Sequence, residues 1–108
     1  MLYRLWSAVV LAIGLSAPVS ASGLRCDHRA SPEYPESARQ NEVESVAKVI
    51  FRMDGTGHYG GQLLITFDRP LSDEYRDAFR SSIVAALRQY QCAPDTTLLE
   101  TFSFQLKP

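Results

Sequence analysis

The sequence predicts an α+β, two-layer domain: a three-stranded sheet, made of a β-hairpin plus a third strand, covered on one face by a long helix, with a short N-terminal helix ahead of it. Three observations lead there. Residues 45–53 and 59–68 alternate apolar and polar side chains with a period of two, separated by a Gly-rich turn. Tyr75, Phe79, Ile83, Ala86, Leu87 and Tyr90 recur at helical spacing. A last alternating run, 97–106, follows a Pro-containing stop.

Each element has a local cause. In Pro32-Glu33-Tyr34-Pro35 each proline restrains the residue before it, which predicts an extended turn. Pro35 then opens a short helix over 35–40, with Glu36 near its positive end. In the first strand Ala47, Val49, Phe51 and Met53 share the inward face, and Val46, Lys48, Ile50 and Arg52 the other. Asp54-Gly55-Thr56-Gly57 turns the chain, and Leu63, Ile65 and Phe67 face inward on the second strand. Gly60-Gly61 marks a bulge or a close backbone approach. Ser72 is the expected N-cap of the long helix, with Asp73 and Glu74 in its first turn and its end near residue 91. Cys92-Ala93-Pro94-Asp95 stops that helix, and Phe102, Phe104 and Leu106 point inward from the last strand. A strand–helix–strand crossover makes the last strand parallel to the second. The simplest sheet then puts the first strand in the middle and leaves the other two as open edges.

Composition limits the function classes. With 108 residues, 45% hydrophobic and 21% charged, the chain supports one ordinary domain. A net charge of −1 argues against a nucleic-acid binder held by phosphate contacts. Residues 1–21 differ from the rest: Arg4 precedes an apolar run over 5–15, and Val19-Ser20-Ala21 ends the segment with small residues. That is the pattern of a cleaved secretory signal peptide, against the competing reading of a retained anchor. Cleavage after Ala21 removes Arg4 and takes the net charge from −1 to −2. Residues 22–31 read as a polar lead-in without periodicity, and 32–108 as the domain.

Two cysteines, Cys26 and Cys92, remain after export. In an oxidising compartment an even count reads first as a disulfide. A metal site on Cys26-Asp27-His28 has one further cysteine and one further histidine to draw on, at no ligand-like spacing, so no metal and no cofactor is expected. Catalysis has little to build on. His28 lies in the lead-in, and His58 lies in a turn with no orienting carboxylate implied nearby. Glu42/Glu44 and Asp73/Glu74 read as solvated acidic pairs. Arg76 and Arg80, each three residues after an aspartate, read as a salt-bridged outer face. The expectation is a protein that is not an enzyme.

Tyr34-Pro35-Glu36-Ser37-Ala38-Arg39 resembles the Tyr-Pro-x-x-Ala-Arg opening of the TonB C-terminal domain family. Tyr90-Gln91-Cys92-Ala93-Pro94 looks like that family's Trp-x-Phe-x-Pro helix ending, with Tyr for Trp and Cys for Phe. The motif residues are thus Tyr34, Pro35, Ala38, Arg39, Tyr90 and Pro94, and the resemblance spans about 32–107. It implies a periplasmic domain that binds an extended segment of an envelope or outer-membrane transport protein by adding it to a sheet edge. The matching edge is the last strand, through the backbone of 97–105, with Thr97, Leu99, Thr101, Ser103 and Gln105 on the face away from the helix.

The TolA C-terminal domain is the related alternative, suited by Cys26 and Cys92 and by the Phe-x-Phe-x-Leu-Lys-Pro ending. It implies an envelope scaffold, or an inhibitor that binds a protein through a side-chain surface. A homodimer through the last strand competes for the same edge. Only residues 22–31 separate the export segment from Pro32, and ten residues reach at most about 35 Å. The expectation is therefore an adaptor or regulator, with no nucleic acid bound and with membrane contact only where the N-terminal segment is retained.

Overall fold

Residues 25–107 are described by the computed structural model; the export segment expected over 1–21 lies outside the described residues. Seven elements follow in order: β1 (Cys26–His28), α1 (Glu36–Gln40), β2 (Ser45–Met53), β3 (Tyr59–Phe67), α2 (Asp73–Leu87), β4 (Gln91–Cys92) and β5 (Thr97–Phe104). The main sheet has the order β3-β2-β5, antiparallel throughout, and β1 and β4 form a second, two-stranded sheet. The first long strand is central and the other two are edges, the simplest of the arrangements the crossover allows.

Alternation on β2 sets the layers. Ser45, Ala47, Val49, Phe51 and Met53 are buried beneath α2, while Lys48, Ile50 and Arg52 are exposed on the opposite face. From α2, Phe79, Ile83 and Leu87 enter the same core, and β5 adds Phe102 and Phe104. Phe79 and Phe104 are the closest aromatic pair among the described residues, with ring centroids 4.7 Å apart. β2 and β3 lose register between Phe51 and Met53, where Gly61 takes a φ of +94°, so the expected bulge is present.

Three expectations need correcting. The lead-in is structured: β1 pairs antiparallel with β4, Cys26 lies opposite Cys92, and the two form a disulfide. An aperiodic, polar stretch hides a three-residue strand, because so short a pairing is specified by the covalent link and not by a hydrophobic pattern. The long helix ends at Leu87 and not near 91. Gln89 and Tyr90 turn their amides onto Ala86 and Leu87 carbonyls, freeing Gln91 and Cys92 to extend and meet β1. Tyr90 keeps its inward position through that turn, with its ring 5.4 Å from Phe51, which is why the helical spacing runs past the helix. Finally, β5 stops at Phe104; the Leu106 amide bonds the Glu44 carboxylate at 2.8 Å, so Glu44 is tied down rather than free in solvent.

The helix starts agree with their signals. Pro35 occupies the N-cap position of α1, with its carbonyl bonded to Arg39 N–H at 2.9 Å. Ser72 is the N-cap of α2, although its hydroxyl makes no capping bond. Arg76 pairs with Asp73 at 2.9 Å and also donates to the Leu71 carbonyl, whereas Arg80 makes no matching pair with Asp77 among the described residues. Exposed pairs of this kind gain little, so one forms and its neighbour does not.

Candidate binding edge

The backbone direction of β2 decides what β5 offers to solvent. Asp68 donates its amide to the Val46 carbonyl at 3.0 Å, and the Asp68 carboxylate accepts the Val46 amide at 2.9 Å, so Val46 points toward β3. Met53 donates to the Thr96 carbonyl at 2.8 Å, so Met53 points toward β5. Both backbone groups of a strand residue lie on one side, and the side alternates. Ala47, Val49 and Phe51 therefore bond their register partners Phe102, Glu100 and Leu98. The outward N–H and C=O groups of β5 belong to Thr97, Leu99, Thr101 and Ser103. All four side chains are exposed on the face away from α2. Gln105 is exposed as well, one residue beyond the strand.

This edge is regular. Its register with β2 runs unbroken from Ser45↔Phe104 to Arg52↔Thr97. Proteins usually blunt such an edge with a bulge, a proline or charged side chains. β3 has its bulge, but the open-face residues of β5 are uncharged within the strand. Among the described residues, no backbone hydrogen bond reaches the outer side of β5. The lead-in passes close by without covering it: Arg29 pairs with Glu100 at 3.4 Å, and Ser82 donates to the Glu33 carbonyl. A groove of about 640 Å³ lies between that lead-in and α2, lined in part by Ala78, Ser81 and Ala85.

The motif residues lie elsewhere, and Tyr34, Ala38 and Tyr90 among them belong to the packing of the core. Tyr34 packs on Phe104 and Phe79, at 5.7 and 6.1 Å between ring centroids, and donates its hydroxyl to the Val43 carbonyl at 2.7 Å. Ala38 is fully buried, Arg39 pairs with Glu36, and Pro94 is exposed in the connection before β5. Burial, followed by the nearby Glu100 carboxylate, pushes the Tyr90 hydroxyl up to about 12.

His28 and His58 are both exposed. Contrary to expectation, a carboxylate does stand beside His58. Asp54 accepts from the His58 amide at 3.1 Å and from the Thr56 hydroxyl at 2.7 Å, and that hydroxyl lies 3.0 Å from His58 Nδ1. The Asp54 carboxyl is held below its usual range by these hydrogen bonds, Thr56 first. The arrangement closes the turn, since Asp54 also accepts from the Thr56 amide. No three His, Cys, Asp or Glu side chains converge as a metal site among the described residues.

A disulfide between Cys26 and Cys92 belongs to the chemistry of an oxidising, exported compartment. No helix among the described residues is long and apolar enough to cross a membrane. The fold and the edge define a small disulfide-bonded α+β domain with an open antiparallel strand. No protein-family model matches the chain, and the search of curated proteins returned no match.

Proposed function

We propose that the chain is a periplasmic, TonB-like protein-binding module. It recognises an extended segment of an envelope or outer-membrane transport protein by edge-strand addition to β5, and it works as a non-catalytic adaptor or regulator. The observation that carries this reading is the regular, uncovered edge of β5, with its outward backbone groups at Thr97, Leu99, Thr101 and Ser103. Main-chain bonds along such an edge supply affinity, and alternate side chains supply selectivity. The Tyr-Pro-x-x-Ala-Arg opening adds the resemblance that directs the reading to transport partners.

Two linked experiments test it. A photoreactive residue at Thr101 or Ser103 is expected to crosslink, in cells, to an extended segment of an envelope transport protein. Proline at either position removes an outward N–H and leaves the bonds to β2 in place, so a folded variant that has lost the partner is expected. A folded proline variant that still binds rejects edge addition. A crosslink between two copies assigns the edge to a homodimer, and one to a scaffold or secreted protein favours the TolA-like alternative.

A further inference from the structure

The open face of the sheet carries an ordered pattern of side chains. Register aligns Thr66, Lys48 and Thr101 in one row and Leu64, Ile50 and Leu99 in the next. Beyond them Arg52 lies opposite Thr97 and donates to its hydroxyl at 3.2 Å. One wholly aliphatic row therefore runs across three strands between two rows that are polar and cationic. It is exposed: Leu64 by 62%, Ile50 by 44% and Leu99 by 63%. Ile50, flanked on both sides, is the least exposed, and Leu99 has its outer flank open at the edge.

We propose that this row selects the incoming strand and sets its register. The inference rests on the edge-addition reading and names the partner's chemistry: an extended segment with an aliphatic residue flanked, two positions away on each side, by polar residues. The strand next to β5 lies about 4.8 Å away, so its open-face side chains continue the existing rows. An aliphatic residue beside Leu99 covers that open flank and becomes the fourth member of the row. A slip by one residue turns the aliphatic side chain to the other face of the sheet. A slip by two sets it against Thr97 or Thr101, where its neighbours are hydroxyls. Only one alignment satisfies both the backbone and the row.

The test uses the full chain with a test strand appended through a Gly/Ser linker long enough to let the strand slide, which keeps its effective concentration high. The strand is all threonine except for one isoleucine, placed at three positions two residues apart. Pairing is read from amide exchange at Thr97, Leu99, Thr101 and Ser103, and register from methyl contacts at low protein concentration. The expected result is that isoleucine meets Leu99 in all three versions, and that Ile→Thr in the strand or Leu99→Thr in the domain weakens pairing roughly 1.5- to 5-fold. Leu99 is exposed, so its replacement leaves the fold in place. Protected amides with a register that ignores the isoleucine overturn the row and leave edge addition standing. Absence of protection even in the tethered strand overturns edge addition with it. Leu99-to-Leu99 contacts between copies that displace the tethered strand give the row to a second copy, overturning the partner assignment.

Discussion

Gly57 joins the hairpin turn to the disulfide sheet. Its φ is +85°, its carbonyl accepts the Cys92 amide at 2.9 Å, and a Cβ there falls 2.4 Å from the Cys92 carbonyl oxygen. Gly61 has a similar φ of +94° but open space around it. Gly57→Ala is therefore expected to cost roughly 2–4 kcal/mol and Gly61→Ala about 1 kcal/mol, read from denaturant midpoints. Equal losses at the two sites deny the close approach. Tyr90 makes a second single-residue prediction. In the unfolded chain its hydroxyl ionises near 10.0; in the fold burial holds the proton to about 12. Its contribution is intact below pH 10 and is lost as pH rises from 10 toward 12, so unfolding becomes easier across that window. Tyr90→Phe is expected to flatten that slope, because Phe carries no proton to lose; an unchanged slope assigns it to other groups.

β1 and β4 together contain only five residues, and a ladder so short has little stability of its own. The bridge between Cys26 and Cys92 spans 66 residues of sequence, and closing a loop of that length is worth about 4 kcal/mol in the chain-entropy account. Native protein is expected to show no titratable thiol. Reduction is expected to lower stability by about 2–4 kcal/mol and to strip exchange protection from the Ala93 amide, which donates to the Arg25 carbonyl at 2.8 Å. Two thiols in the native exported protein remove the link. At this scale the long elements and the short helix α1 are legible in the sequence, and the two short strands β1 and β4 are not. The alternation predicts strand 45–53 with its observed bounds, because a period of two over nine residues leaves one face to bury. The three residues of β1 are too few to show a period, and Tyr90 extended the apparent helix because a tight turn returned it to the same face.

Across the whole molecule, local pattern and topology answered different questions. Alternation at Ala47, Val49, Phe51 and Met53, the stripe from Phe79 to Leu87, and the Gly-rich turn determine the layers, the hairpin and the face each strand buries. Each follows from side-chain periodicity and backbone preference within a dozen residues. The simplest sheet order for a strand–helix–strand crossover follows too, and with it the edge position of β5. The alignment of Leu64, Ile50 and Leu99 depends on two registers at once: Ile50 meets Leu64 where β2 pairs with β3, and Leu99 where β2 pairs with β5. The same holds for Arg29 with Glu100 and for the outward set of β5 amides, which is decided by bonds at Asp68 and Thr96. Sequence periodicity determined which faces are apolar. Only the assembled sheet decided which residues share a row, because register is a relation between strands and no single strand carries it.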